Sequence, residues 1–341
     1  MKNGTLLAHR GAWWGCSAAL LAAVALLSLM IGARTMSPDA VWHALAFDRC
    51  ALDHQMDCII VWEARVPRTL AGLTVGVALG LSGCLMQQLT RNPLADPGVL
   101  GVNAGASLAI VLCAALTGTA AAEWRVTAAF GGALCSSLVL IGLGALTGHG
   151  RVDPIRLTLI GVALGAAMEG LSSGIALLDP ATFDHLRFWR TGSLAIHGLA
   201  PLKAVAAPIL VGAVLALLLG RYLEAFALGE QMATSLGSRP RITQAIGVLA
   251  IALLCGSAVA AVGPIAFLGL MAPQLAGRLA QGVARWQLYW SLTLTPLLLL
   301  GADVLGRVLF KHDVSVSILT ALLGAPVLIA LARRMWRGTH A

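Results

Sequence analysis

The sequence predicts an all-α polytopic membrane protein, a bundle of about ten transmembrane helices. Of its 341 residues, 58% are hydrophobic and only 11% are charged, whereas a soluble domain has about a quarter of its residues charged. Apolar runs of about 20 residues, the length that crosses the hydrocarbon core of a bilayer, recur along the chain. The 38 glycines and 13 prolines suit close helix contacts and interrupted helices within a membrane.

The apolar runs divide the chain into ten predicted spans within one transmembrane domain, residues 1–341. The eighth span is the least regular because Pro264 and Pro273 interrupt it. The first is longer than the apolar core of a cleavable signal peptide and predicts a membrane anchor. The spans are predicted at residues 11–33, 68–89, 94–116, 121–147, 155–178, 201–220, 240–261, 264–281, 287–309 and 314–333.

Basic residues predict how the bundle is oriented. Ten spans place both termini on one side, and with that side inside the cell the inner segments carry more lysine and arginine than the outer ones. The terminal RRMWRG, Arg333 to Gly338, adds to this bias. We therefore expect a multi-pass protein of the bacterial inner membrane with both termini in the cytoplasm. The net charge of +8 follows from this orientation and does not indicate a nucleic-acid partner.

Two of the seven cysteines lie in a predicted outer loop, DRCALDHQMDC. Cys50 and Cys58 suit a short disulfide loop if this segment faces an oxidising compartment. A metal site that also uses His54 and Asp57, or two unpaired thiols, are the alternatives, although we expect no metal site in this chain. The other five cysteines lie in apolar runs and predict small packing residues.

The sequence lacks the motifs of ATP hydrolysis and of other common catalytic sites. Its lysines are Lys2, Lys203 and Lys311, and none follows glycine and precedes serine or threonine, so no Walker A phosphate loop is present. No HExxH or CxxC pattern occurs either. We therefore expect a chain that is not an enzyme. Transport by such a chain would use an ion gradient, be passive, or take its energy from another subunit.

Glu169 is the one clear ionisable side chain inside a predicted span, in LTLIGVALGAAMEGLSSGIALL. Such groups are costly in lipid and often line a substrate or ion pathway. Glu169 could therefore serve an ion-coupled carrier, or it could be a hydrogen-bonded side chain that faces the bundle. A single carboxylate gives little support to proton coupling.

A short amphipathic helix is predicted in ALGEQMATSLG, between spans six and seven. Leu228, Met232 and Leu236 share one face, and polar side chains cover the rest. A helix of this kind on the cytoplasmic face can fit a groove of a partner protein and pass on a rigid-body movement. The alternative is a helix that lies at the lipid interface.

Five motifs together resemble those of one protein family. RVPR (Arg65 to Arg68), RNPLADPGVLG, ALGEQMATSLG, GPIAFLGLMAP and LTALLGAP occur in the order and at the distances found in the membrane permease subunits of the iron-siderophore, haem and vitamin B12 ABC importers. The resemblance covers residues 60 to 334. In this chain Gln274 stands where many of these permeases have histidine, and VARW (Val283 to Trp286) replaces a common acidic-His-Arg turn.

The resemblance implies a ten-span bundle that forms a dimer with a second permease subunit, identical or related. Two ABC ATPase subunits, which carry ATP and magnesium, would bind its cytoplasmic face, and a periplasmic binding protein would deliver the ligand. No cofactor is expected on this chain. The ATPase would contact the loop at residues 221–239, at Leu228, Gly229, Glu230, Ala233, Leu236 and Gly237.

The same resemblance implies that outer arginines meet acidic side chains of the binding protein. The matching positions are Arg65, Arg68 and Arg307. Local pairing is the alternative: Asp303 precedes Arg307 by four residues on one helix face, and Arg68 could pair with Glu63 or with a lipid phosphate.

The cargo expected from the family's commonest substrates is an iron-siderophore complex. Haem or cobalamin would be alternatives within the same class of importer. An ion-coupled carrier that uses Glu169, or a membrane-embedded assembly partner without transport of its own, would be functions of a different class.

Overall fold

The computed structural model describes residues 2–32, 36–46, 55–117, 122–147, 154–227, 230–235, 239–310 and 314–338. These residues form helices and connecting turns and contain no strand. The α-helices are α1 (Lys2–Met30), α2 (Pro38–Ala46), α3 (Gln55–Ile59), α4 (Val66–Thr90), α5 (Val102–Thr117), α6 (Ala122–Thr147), α7 (Pro154–Ala176), α8 (Pro180–Arg190), α9 (Ala200–Ala227), α10 (Glu230–Ser235), α11 (Pro240–Val262), α12 (Leu268–Ala280), α13 (Ala284–Phe310) and α14 (Val316–Gly338). A π-helical stretch, Ile60–Arg65, joins α3 to α4.

Each of the ten predicted spans overlaps one α-helix: α1, α4, α5, α6, α7, α9, α11, α12, α13 or α14. Among the described residues, seven helical stretches are long and apolar enough to cross a membrane. Helices α5 and α12 are shorter, at 16 and 13 residues, and the apolar part of α14 is limited to Val316–Ala330. The predicted all-α membrane fold is confirmed, while the number of crossings stays approximate.

A clear difference from the predicted boundaries lies at RNPLADPG. The third span was predicted from residue 94, but α5 begins at Val102 because Pro97–Leu100 form a 3-10 turn. The Asp96 carboxylate caps this turn by accepting a hydrogen bond from the Gly98 N–H at 2.7 Å. Asn92 and Asp96 therefore hold a polar turn that extends into the start of the predicted third span.

The interruption of the eighth predicted span is also visible. Helix α11 ends at Val262 with Gly263 as its C-cap, at φ 80°. Helix α12 begins after its N-cap Phe267, at φ 62°, so Pro264 lies in the break between the two helices. Pro273, in contrast, lies inside α12. The segment after α8 holds this break in place, because the Ser193 N–H donates to the Val262 carbonyl at 2.9 Å.

Helix α4 lies at the centre of the bundle and packs against α13 through a row of glycines. Gly72, Gly76 and Gly80 are four residues apart and face α13. A Cβ atom added at Gly76 would lie 2.5 Å from the Pro296 Cα atom, which shows how closely the two backbones approach. Small residues at this spacing are the usual means of close helix packing in membranes. The glycine row therefore makes α4 and α13 one packed pair.

Candidate docking and coupling sites

A cluster of charged side chains lies at the end of the bundle predicted to face outward. Arg65 ends the π-helical stretch, Arg68 lies in the first turn of α4, and Asp303 and Arg307 lie near the end of α13. Close packing of α4 on α13 brings Arg68 to Asp303 although 235 residues separate them in sequence. We call these four residues the outer arginine cluster.

The Asp303 carboxylate holds two guanidinium groups. Arg68 Nη2 lies 2.8 Å from Asp303 Oδ1, and Arg68 Nε lies 3.1 Å from Oδ2. Arg307 Nη2 lies 2.9 Å from Asp303 Oδ2. Asp303 is only 2% exposed, and charge-assisted hydrogen bonds of this geometry are among the strongest in proteins.

The carbonyl end of α1 supplies further acceptors to this cluster. Arg65 Nη1 donates to the Leu29 and Met30 carbonyls at 2.5 and 2.7 Å. Arg307 Nη1 donates to the Ser28 carbonyl at 3.0 Å, and its Nη2 to Ser28 Oγ at 2.8 Å. The last carbonyls of a helix have no partner within the helix, and cations near them are favoured by the helix dipole. The cluster thus caps α1 and ties it to α4 and α13.

The three arginines predicted to dock a binding protein are therefore turned inward. Arg65 and Arg68 are 5% and 8% exposed, and the Arg307 side chain is 6% exposed. The local pairing of Arg307 with Asp303 is observed, and Arg68 pairs with Asp303 rather than with Glu63. Docking through these arginines stays a prediction, and it requires the cluster to open.

Glu169, the predicted pathway residue, lies in an ion pair. Its Oε1 lies 2.7 Å from Nη2 of Arg190, the last residue of α8. The Glu169 side chain is 44% exposed, so it is not enclosed within the described part of the bundle. The carboxylate has a structural partner that the sequence alone did not indicate.

The predicted ATPase-contacting segment is described only in part. Residues 230–235 form α10, which packs against α9 and α11, and Met232 on it is exposed. Glu230 and Ala233 lie on α10, but their side chains are not among those the structure describes. Leu228, Gly229, Leu236 and Gly237 lie outside the described residues. Contact of this segment with an ATPase stays a prediction.

Side chains at both departures from the family's pattern, Gln274 and the VARW stretch, make contacts between helices. Gln274 Nε2 donates to the Gln87 side chain at 3.1 Å and to the Pro93 carbonyl at 2.5 Å, which joins α12 to α4 and the following turn. Arg285, within VARW, lies 3.5 Å from Glu224 near the end of α9. Both contacts lie at the end of the bundle predicted to face the cytoplasm.

The cysteine and metal predictions meet different outcomes. Cys58 is disulfide-bonded, whereas Cys50 lies outside the described residues, so their pairing stays a prediction. The other five cysteines carry free thiols. His54 is also outside the described residues. Among the described residues, no group of three His, Cys, Asp or Glu side chains is placed to hold a metal ion.

Comparison with known proteins agrees with this architecture. The sequence model of the FecCD transport family matches residues 20–334. The chain belongs to the FecCD transport family. Over 94% of both chains it is 54% identical to the ferric enterobactin transport system permease protein FepD of Escherichia coli K12. It is 34% identical to the probable siderophore transport system permease protein YfiZ of Bacillus subtilis 168, over 81% of this chain and 83% of the relative.

The fold of this FecCD-family chain also matches a solved transporter. A metal-chelate type ABC transporter in an inward-facing conformation superposes with a TM-score of 0.79 and 26% identity, over 95% of this chain and 99% of the other. The family predicted from the five motifs is confirmed. The FecCD chain is a membrane transport protein, and its polar clusters lie at the two ends of an α-helical bundle.

Proposed function

We propose that this chain is the transmembrane subunit of an ATP-driven importer that moves an iron-siderophore complex across the bacterial inner membrane. The observation that carries the proposal is the 54% identity to the ferric enterobactin permease FepD over 94% of both chains. The match extends over almost the whole chain, so it includes the segments that would face cargo and partners. Ferric enterobactin is therefore the first cargo to test, before haem or cobalamin.

The energy for import would come from partner subunits. The sequence has no Walker A loop, so two ABC ATPase subunits would bind and hydrolyse ATP with magnesium, and no cofactor would reside on this chain. A second permease subunit would complete the pathway, and a periplasmic binding protein would deliver the cargo. In this arrangement both termini and α10 would face the cytoplasm.

Reconstitution tests the proposal directly. The chain would be purified with its ATPase, placed in proteoliposomes, and supplied with the binding protein and radioactive iron-loaded enterobactin. We expect ATP-dependent uptake of iron and faster ATP hydrolysis with the loaded binding protein. The same binding protein loaded with haem or cobalamin provides the comparison. ATP-dependent uptake of haem or cobalamin without uptake of the siderophore would assign the cargo otherwise.

A substitution at Glu169 distinguishes an ion-coupled carrier from the proposed ATP-driven importer. Since Glu169 is paired with Arg190 at 2.7 Å, we expect Glu169→Gln to retain ATP-driven uptake. A carrier would instead take up cargo under a proton gradient without ATPase, and it would lose uptake in Glu169→Gln. Uptake with a proton gradient alone would refute the ATP-driven importer.

The predicted ATPase contact is tested at Leu236. A charge on the apolar face of the amphipathic segment would disrupt a groove contact, so Leu236→Asp should abolish co-purification of the ATPase. Leu236→Met keeps an apolar side chain of similar size and provides the control. Normal assembly of the Leu236→Asp complex would place the ATPase contact elsewhere.

A further inference from the structure

Two arginines hold the last turn of α9, the helix that leads into α10. Arg91 Nη2 donates to the Phe226 carbonyl at 2.7 Å, and its guanidinium lies 4.7 Å from the centre of the Phe226 ring. Arg285 Nη2 lies 3.5 Å from Glu224 Oε2. We call these two contacts the inner ties. They connect the end of α9 to α4 through Arg91 and to α13 through Arg285.

Arg91 has a backbone conformation that is unusual for an arginine. Arg91 is the C-cap of α4 and adopts the left-handed conformation, with φ 49°. Glycine adopts this cap conformation most readily, and few other residues do so. The presence of an arginine with its guanidinium on Phe226 therefore points to a role for that contact beyond ending the helix.

The charges of the second tie oppose both helix dipoles. Glu224 lies near the C-terminus of α9, and Arg285 lies in the first turn of α13. Acids are favoured at helix N-termini and bases at C-termini, so the reverse arrangement would stabilise both helices better. The pair is also partly exposed, at 40% for Arg285 and 34% for Glu224, and such pairs contribute little to stability. Helix stability does not explain this arrangement.

The inner ties lead into two closely packed helices, α4 and α13. The glycine row packs α4 on α13, and near their inner ends Gln88 Nε2 donates to the Gln287 side chain at 2.9 Å. Gln287 in turn donates to the Pro273 carbonyl of α12 at 2.9 Å. Three helices are thus joined next to the ties.

The opposite ends of these helices carry the outer arginine cluster. Arg68 lies in the first turn of α4, while Asp303 and Arg307 lie near the end of α13. Helix α4 has 25 residues, which gives a length of about 37 Å at 1.5 Å per residue. A displacement of the last turn of α9 could therefore reach the outer cluster through the α4–α13 pair.

We propose that Arg91 and Arg285 are positioning residues that transmit movement of α10 to the α4–α13 pair and so to the outer arginine cluster. This inference rests on the proposed function, in which ATPase subunits move α10. Loss of a tie then leaves an assembled complex that hydrolyses ATP but moves less cargo. The ties do not touch ATP or cargo, so their loss changes the amount of cargo moved per ATP.

The experiment uses the complete complex of permease, ATPase and binding protein in proteoliposomes, with iron-loaded enterobactin as the probe. Arg91→Gly removes the guanidinium and keeps a residue suited to the left-handed cap. Arg285→Glu breaks the second tie by placing two acids together. We expect both variants to assemble and hydrolyse ATP, but to move at least about fivefold less iron per ATP, in the range typical of coupling between sites.

Two further variants separate coupling from structure. Combining Glu224→Arg with Arg285→Glu restores an ion pair with reversed charges, and it should return the iron moved per ATP to the wild-type value. Arg187→Ala is the matched control, because Arg187 also pairs with an acid at 3.5 Å and lies 5.1 Å from an aromatic ring, but on α8. We expect Arg187→Ala to behave as wild type.

Four outcomes would count against the inference. Wild-type iron transport per ATP in both Arg91→Gly and Arg285→Glu would overturn it, and so would failure of the charge reversal to restore transport. An equal loss in Arg187→Ala would show that any such contact matters only for structure. If the wild-type complex itself moves no iron with ATP, the proposed function fails, and the inference fails with it.

Discussion

The two ends of the α4–α13 pair use arginine in opposite ways. At the outer end, Arg68 and Asp303 are 8% and 2% exposed, and their nearest atoms are 2.8 Å apart. At the inner end, Arg285 and Glu224 are 40% and 34% exposed and 3.5 Å apart. Removing one partner of a buried ion pair leaves an uncompensated charge, whereas an exposed pair contributes about 0–1 kcal/mol. The outer cluster therefore holds the fold together, while the inner ties can change at little cost.

The largest expected effect comes from Asp303. Asp303→Ala would leave the guanidinium groups of Arg68 and Arg307 without their shared carboxylate in a buried site. We expect the free energy of unfolding in detergent to fall by about 3–5 kcal/mol, the usual result of breaking a buried ion pair. The measurement is denaturant-induced unfolding followed by tryptophan fluorescence.

Asp184 provides the exposed counterpart to Asp303. Asp184 pairs with Arg187 at 3.5 Å on α8, and both side chains are about 60% exposed, at 61% and 60%. Asp184→Ala should change the free energy of unfolding by no more than about 0.5 kcal/mol. Similar losses in the two alanine variants would contradict the contrast between buried and exposed pairs.

A second prediction concerns the close packing that makes α4 and α13 one body. Gly76→Ala would place a Cβ atom 2.5 Å from the Pro296 Cα atom, so the helices must separate. We expect a loss of about 1–3 kcal/mol from overpacking, measured by the same unfolding experiment. Gly142→Ala on α6 is the control, because a Cβ atom there meets nothing within 4 Å. If Gly76→Ala is as stable as Gly142→Ala, the two helices are not rigidly joined.

A smaller effect is expected at Ser28, where α1 meets the outer arginine cluster. Ser28 Oγ accepts hydrogen bonds from Thr69 Oγ1 at 3.0 Å and from Arg307 Nη2 at 2.8 Å. Since Arg307 keeps its bond to Asp303, Ser28→Ala should cost only about 1 kcal/mol, the net contribution of one hydrogen bond. The control is Ser172→Ala, because Ser172 donates only to the Met168 carbonyl of its own helix. Equal stabilities of the two variants would show that α1 is not held by this contact.

The sequence predicted the helices better than the contacts between them. Apolar runs about 20 residues long fix the spans because they must match the bilayer, and the four-residue spacing of Asp303 and Arg307 correctly indicated their pairing. The position of Arg68 beside Asp303 could not be predicted, because 235 residues separate them and only the packing of α4 on α13 brings them together.

The same limit applies to the inner end and to the connecting helices. Arg91 was visible only as part of a turn motif, while its partner Phe226 lies 135 residues further along the chain. Helices α2, α3 and α8 were not predicted, because they are short and lie between the apolar runs. One signal was available for α8: Asp179-Pro180 is a typical N-cap and first helical residue.

The smallest expected effect is the pH dependence of α8. The Asp179 carboxylate accepts hydrogen bonds from the Thr182 hydroxyl and N–H and from the Ala181 N–H, and these lower the pKa of its carboxyl group. Because the folded-state pKa lies below the unfolded value of about 3.9, the stabilisation of α8 is present above that value and is lost as the pH falls through the lowered pKa. The protection of α8 amides from hydrogen exchange, measured relative to the unfolded chain, should therefore decrease below about pH 4.

Two variants at Asp179 isolate the titration from the capping. Asparagine caps a helix without titrating, so protection of α8 in Asp179→Asn should stay constant through this pH range. Asp179→Ala removes the cap, so its protection should be low at every pH, and the difference from wild type should shrink as the carboxylate is protonated. Because α8 ends at Arg190, the partner of Glu169, a pH effect on its cap would also loosen that ion pair. Identical pH profiles for wild type and Asp179→Asn would show that another group controls this helix.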